Sequence, residues 1–260
     1  MKNVIVPLNA FDRFQVLANG QAAFVEPIAR AGAYGVEIRR ELLPLENLEL
    51  GHIKSEVDQF GLFTVYSAPI ECWNKDYQLN EVQLSEIFQE GDIVGAKWIK
   101  VSLGHFLKAK SNVSQLAVFL REHQGIQLLV ENDQTPYGGR IENLQAFFES
   151  AQEADVPVKM TFDVGNWYYS GQDVEEALQR LEPYILYLHL KQVEVRHDTL
   201  VTVPLEREGN HSWKKVLREL PTDIVKALEF PIVPKEETKG FIDMLEELEK
   251  ENEVFTICNH

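Results

Sequence analysis

Four stretches of this 260-residue chain run through mostly apolar residues and then end on groups able to bind a cation or carry a proton. QLLVEND (127–133) ends on Glu131 and Asp133, and VKMTFDVGN (158–166) delivers Asp163 and Asn166. ILYLHLK (185–191) brings His189 and Lys191, and IVKALEF (224–230) brings Glu229. A carboxylate taken out of water alone is strongly destabilised. A divalent cation answers that cost. Two glutamates, one aspartate and one histidine form a mixed oxygen and nitrogen set suited to Mn²⁺, Mg²⁺, Co²⁺ or Zn²⁺, and the set alone does not choose among them. Each residue also has an ordinary reading of its own. A strand-end glutamate can sit at a solvated rim, a histidine can be satisfied in a core, and Asp163 can form an Asx turn with Gly165 letting the chain turn. The same departure at the same end of four successive stretches points instead to one metal ion held by Glu131, Asp163, His189 and Glu229.

Residues so far apart in sequence need strands to bring them together. Runs rich in aliphatic and β-branched residues begin at residue 4 (VIVPL), 35 (GVEIR), 63 (FTVYSA), 98 (WIKVSLG), 127, 158, 185 and 224. Each interval has the length of one strand and one crossover helix. Between the runs, QAAFVEPIARAG ends at Gly32 and NLELGHIKSEVDQFG at Gly61, where a left-handed glycine would close a helix. NVSQLAVFLREHQ, RIENLQAFFESAQEA, DVEEALQRLEPY, HSWKKVLREL and TKGFIDMLEELEKENE carry apolar residues three and four apart. Eight such units predict an α/β fold, one (β/α)8 TIM barrel with parallel strands filling residues 1–260, with its functional end at the C-termini of the strands. The longest interval places QVEVRHDTLVTVPLEREGN (192–210) after the seventh strand, and a loop of that length over an active end is expected to act as a lid or binding segment. Its cations Arg196, His197 and Arg207, together with Arg39, could hold a phosphate or carboxylate or pair with the surrounding acids.

Charge narrows the partners. With 41 Asp and Glu against 25 Lys and Arg the formal net charge is −16, which repels phosphate backbones and anionic membrane surfaces, so neither nucleic acid nor membrane is an expected partner. Cys72 and Cys258 form no Cys-x-x-Cys pair, and a reduced compartment is the simpler expectation. The apolar run near the N-terminus is too short for a secretory signal, and no stretch approaches the roughly 18 apolar residues of a membrane helix. A cytoplasmic location is expected.

The series LLVEND, TFDVGN, YLHLK and ALEF, in that order on the fifth to eighth strands, resembles the xylose isomerase-like TIM barrels. That superfamily includes sugar phosphate isomerases and epimerases, ketose 3-epimerases, hydroxypyruvate isomerase, inositol-pathway enzymes and the endonuclease IV (AP endonuclease family 2) nucleases. The resemblance extends to GVEIRRE on the second strand, at Glu37. It implies that Glu131, Asp163, His189 and Glu229 ligate one divalent metal, and that Glu131 and Glu229 also flank the substrate as proton acceptor and donor. It places Asn166, Lys191 and Glu37 on the substrate side.

The expected chemistry is removal of the weakly acidic α C–H of a hydroxy-carbonyl sugar, with the metal stabilising the enediolate. Return of the proton to the opposite face of the same carbon epimerises, and delivery to the adjacent carbon isomerises. Trp167, with Tyr168 and Tyr169 behind it, and Trp73 beside Glu71 suit the C–H faces of a sugar. His105 and Arg196 are candidate hydroxyl or phosphate contacts. A small sugar or sugar phosphate is the expected partner, and a homodimer fits the resemblance.

Two features depart from the pattern. Ketose 3-epimerases usually carry histidine three residues after the strand-six aspartate, where this chain has Asn166, and their Gly-rich turn followed by Asp-Trp is replaced here by VPLEREGNHSW. A lyase of the dehydroshikimate dehydratase type would use the same ligands, and a non-catalytic sugar-binding barrel could retain them. An endonuclease IV-like nuclease would need several metals and more strand-end histidines, and the net charge opposes it. A Schiff-base aldolase through Lys191 would not need the acidic quartet, and the acids would keep the lysine protonated.

Overall fold

Eight strands hydrogen-bond side by side, all parallel, and the last closes on the first. The structure is a computed structural model that describes residues 3–44 and 47–258, with side chains described to residue 252. The barrel strands are β1 (Val4–Pro7), β2 (Gly35–Arg39), β3 (Phe63–Trp73), β4 (Trp98–Gly104), β5 (Gln127–Glu131), β6 (Val158–Asp163), β7 (Ile185–Leu190) and β10 (Val225–Leu228). β8 (Gln192–Arg196) and β9 (Thr199–Val203) form a separate two-stranded antiparallel hairpin. The fold is a (β/α)8 TIM barrel. Seven of the eight strands start at the residue expected from the sequence, and β10 starts one residue later.

Alternation along each strand sorts the side chains into two sets. One set faces the helices and joins a large apolar cluster. The other faces inward, where Ile5, Val65, Leu129, Tyr187 and Ala227 form a smaller buried cluster fed by β1, β3, β5, β7 and β10. This is a packed barrel interior, not a pore. Beneath it the rings of Tyr34, Phe63, Trp98 and Tyr187 follow one another at centroid separations of 4.8 to 5.5 Å.

The helices end as their sequences suggest. Gly32 and Gly61 both adopt the left-handed conformation, at φ 95° and 63°. The side chains of Asn112 and Asp173 accept from backbone N–H groups at the starts of α5 (Val113–Glu122) and α8 (Val174–Leu181). The long helix α4 (Glu81–Val94) was not among the periodic stretches. Its inward side carries Glu90 and Gly91, a charge and a residue without a side chain, which blur the apolar spacing.

The expected lid loop is instead the β8–β9 hairpin, paired from Gln192 opposite Val203 to Arg196 opposite Thr199. His197 and Asp198 turn it at φ 50° and 60°, the left-handed pair a tight hairpin requires. Among the described residues no helix is long and apolar enough to cross a membrane.

Candidate metal centre

The inward face that carries the apolar cluster continues, two residues further along the same strands, into charge. Leu129 is followed by Glu131, Thr161 by Asp163, Tyr187 by His189 and Ala227 by Glu229. Register sets Asp163 opposite His189 across the β6–β7 pair, while Glu131 lies opposite Thr161 and Ala227 opposite His189, so Glu131 and Glu229 reach the same point from positions offset by two residues along neighbouring strands. His189 is the hub. Its Nδ1 lies 2.8 Å from Glu229 Oε2, 3.1 Å from Glu131 Oε1 and 3.9 Å from Asp163 Oδ2. Its Nε2 lies 2.9 Å from Glu37 Oε2 on the opposite side.

Asp163 is fixed by the backbone at both ends. The N–H groups of Gly165 and Asn166 donate to its Oδ1 at 2.8 and 2.9 Å, and its main chain pairs in both directions with the side-chain amide of Asn132. Asn132 thus extends the β5–β6 pairing by one step after β5 has ended.

Three further cations enter the cluster. Lys100 Nζ, from the middle of β4, donates to both oxygens of Glu131 at 2.8 Å and lies 3.4 Å from Glu37. Lys191 donates to Asp163 at 2.8 Å and lies 3.0 Å from Glu229. Arg39 reaches Glu37 at 2.8 Å, Glu41 at 2.8 Å and Glu229 at 3.0 Å. Burial raises the pKa of Glu37, Glu131 and Glu229, but the neighbouring cations outweigh it, lowering Glu131 and holding Glu37 and Glu229 well below the usual carboxylate range. Lys100 and His189 do this for Glu37 and Glu131, and Lys191 and His189 for Glu229. Asp163 goes the other way, because burial together with Glu229 and Glu131 prevails over Lys191 and pushes it up to about 7. Burial and Lys100 oppose the charged form of His189, yet the three glutamates carry its pKa well above the ordinary value. The cluster is a close mix of charges in which Lys100, Lys191, Arg39 and a protonated His189 face Glu37, Glu131, Asp163 and Glu229.

A divalent ion would take the place of the protons held by His189 and Asp163. One ligand atom from each of Glu131, Asp163, His189 and Glu229 can be chosen so that all four lie within 4.8 Å of one another. One ion with bonds of about 2.0–2.6 Å can bridge such a spread. Three hard oxygens and one imidazole nitrogen suit Zn²⁺, Mn²⁺, Co²⁺ or Mg²⁺.

Known structures share this architecture. No family profile and no curated protein matches the chain by sequence. By structure, a xylose isomerase domain containing protein from Salmonella typhimurium LT2 superposes with a TM-score of 0.70 at 17% identity, over 95% of this chain and 97% of that one. An L-ribulose 3-epimerase gives 0.69 at 12% identity, over 98% of each chain. The chain has the xylose isomerase-like barrel fold. The IOLI protein, whose crystal structure contains a bound zinc atom, has it too, with a TM-score of 0.66 at 14% identity over 97% of this chain and 98% of that one. A probable 3-DHS dehydratase from Bacillus anthracis also has it. Identities this low speak for the fold alone.

Within this xylose isomerase-like barrel the residues singled out from the sequence separate into groups. Glu131, Asp163, His189, Glu229 and Lys191 converge. Glu37 converges with them but is fully buried and touches four donors, so it serves the interior and has no face for a substrate. Asn166 is buried and committed to the protein. Its amide donates to Asn132 O, and its Oδ1 accepts from Gln134 and Lys191.

Trp167 is 0% exposed and packs on Phe162 at 5.5 Å, because the short turn Asn166–Tyr169 rotates it away from the opening into the core. Tyr168 and Tyr169 instead hydrogen-bond Ser212 and Thr202, tying this turn to the hairpin and to the start of α9 (Ser212–Glu219). Arg196 lies in the hairpin, 57% exposed and paired with Glu194 within its own strand. His105 stacks on Tyr137 at 3.7 Å with Nε2 3.9 Å from Glu71, in the loop after β4.

Gly165 is not a left-handed turn residue, since its φ is −78°. A Cβ there would meet the Lys191 stem at 2.5 Å, so glycine leaves room for that lysine. Lys100, Tyr187 and Asn132 also belong to the cluster, beyond the residues expected from the sequence. Lys100 carried the clearest signal, a charge in the middle of WIKVSLG at the parity that faces inward.

Proposed function

We propose that the chain is a divalent-metal-dependent isomerase or epimerase acting on a sugar or sugar phosphate by proton transfer, with Glu131 and Glu229 as the proton-handling pair. The observation that carries this reading is that two glutamates lie within 3.1 Å of one imidazole nitrogen, inside a quartet with the spacing of a metal site. A divalent ion held by Glu131, Asp163, His189 and Glu229 would polarise the substrate carbonyl and its neighbouring hydroxyl and so acidify the adjoining C–H.

The chain's own groups do the rest. Both glutamates are kept ionised by the surrounding cations and can accept a proton. Their side chains are 16% and 9% exposed, enough to meet a bound molecule while most bulk water is kept out. Asp163, pinned by two backbone N–H groups, does not need to move during the cycle and serves as an anchor. Lys191, between Asp163 and Glu229, is the cation best placed to meet a substrate hydroxyl. His105 and Glu71 supply polar groups on the β3–β4 side.

Exchange of substrate C–H for deuterium from heavy water, screened over ketoses and their phosphates with Mn²⁺ or Co²⁺ present, tests the proposal. Glu131→Gln is expected to lower the exchange rate about 10²–10⁴-fold, the usual contribution of a general base. Unchanged exchange would remove Glu131 from the mechanism. Loss of water from the substrate without exchange into recovered material would favour the dehydratase reading, which the shared fold also accommodates.

A further inference from the structure

Glu37 has no access to solvent and occupies the centre of β2, beneath the quartet. Its Oε2 faces two groups, the Tyr187 hydroxyl at 2.9 Å and His189 Nε2 at 2.9 Å. Its Oε1 faces Arg39 Nη1 at 2.8 Å and Lys100 Nζ at 3.4 Å. An ionised carboxylate only accepts hydrogen bonds, so the ring nitrogen that faces it must carry the proton. Nδ1 is the nitrogen directed at the quartet, 2.8 Å from Glu229, 3.1 Å from Glu131 and 3.9 Å from Asp163, so a metal held there would take the place of the Nδ1 proton while Nε2–H stays donated to Glu37. The ring is further fixed edge-on by Tyr187, with centroids 4.8 Å apart and planes at 85°.

We propose that Glu37 is the positioning residue of the metal centre: it sets the tautomer and ring plane of His189 so that Nδ1 is the coordinating nitrogen. Arg39 and Lys100 hold Glu37 in place. Lys100 extends the support by gripping Glu131 with the same ammonium group, so one buried lysine braces both the ligand Glu131 and the carboxylate behind the ligand His189. This rests on the metal reading given above, and it reverses the substrate-side role that the resemblance implies for Glu37. Partners behind a metal-bound histidine commonly govern affinity by 10–100-fold.

Calorimetric titration of the metal-free protein with Zn²⁺ and with Co²⁺ distinguishes the two ideas. Failure of the wild-type chain to bind either ion would overturn the metal reading, and the positioning role with it. If the wild type binds, Glu37→Gln is expected to bind about 10–100-fold more weakly, with a shifted Co²⁺ visible spectrum. A variant that binds as tightly as wild type with an unaltered spectrum would overturn the positioning role alone. Because Glu37→Gln leaves Lys100 and Arg39 with one charge fewer and could impair folding, a second measurement uses the wild type. Nitrogen-15 histidine spectra of the Zn²⁺-loaded chain should show His189 protonated at Nε2 and metal-bound at Nδ1, and the reverse assignment would refute the proposal.

Discussion

Two layers inside one barrel, only two residues apart along each strand, are built from opposite chemistry. The lower layer holds Val65, Leu129, Tyr187 and Ala227. The upper holds Ser67, Glu131, His189 and Glu229 on the same four strands. The lower layer is closed by packing and has no requirement beyond shape. The upper layer is equally buried at His189 and Asp163, yet it is stable only because every acid finds a cation or a backbone donor. Because strands repeat every two residues, the apolar floor lies directly under the charged groups and fixes their height and direction. Tyr187 belongs to both layers. Its ring packs in the floor while its hydroxyl supports Glu37 in the charged layer.

Breaking one layer at a time should separate chemistry from stability. Replacing Glu131 in the upper layer is expected to lower the rate of substrate C–H exchange about 10²–10⁴-fold. Replacing its neighbour below should act differently: Leu129→Ala, at a fully buried floor position, is expected to cost about 2–5 kcal/mol of unfolding free energy in chemical denaturation. The folded fraction of that variant should still bind metal. If Leu129→Ala abolished metal binding while leaving stability intact, the division between floor and site would be wrong.

The layers also differ in their response to pH. Asp163, with its pKa pushed up to about 7, is mostly protonated below that pH in the metal-free protein, and His189 is held protonated well above it. A metal must displace both protons at acidic pH and only the histidine proton at alkaline pH. Proton release on Zn²⁺ binding, read by calorimetry in buffers of different ionisation heat, should therefore fall from about two per ion near pH 6 to about one near pH 8. Affinity should weaken as the pH falls through 7. A release independent of pH would contradict the environment assigned to Asp163.

The strands and the quartet could be read from the sequence for the same reason: each ligand terminates an apolar run, so pattern and chemistry coincide at one residue. Glu37 and Lys100 are harder to read, because a charge within a strand reads as a rim group until the partners that neutralise it from two other strands are known. Trp167 misled because its direction is set by the turn after Asp163, a matter of backbone geometry and not of composition. The hairpin had a legible signal in the alternation of VEVR and TLVTV, outweighed by its position between a strand and a helix in a repeating pattern. Helix α4 escaped because Glu90 faces inward, where Tyr66 and Arg40 satisfy it through hydrogen bonds of 2.7 to 2.9 Å. A buried charge with its partner on another element is invisible to periodicity.

Elemental analysis of the chain purified without chelators, alongside Asp163→Ala and His189→Ala, tests the central claim most directly. The account predicts about one divalent ion per wild-type chain and marked loss from both variants. A wild-type chain that carries no divalent metal and takes up none on titration, or variants that retain it, would contradict the account.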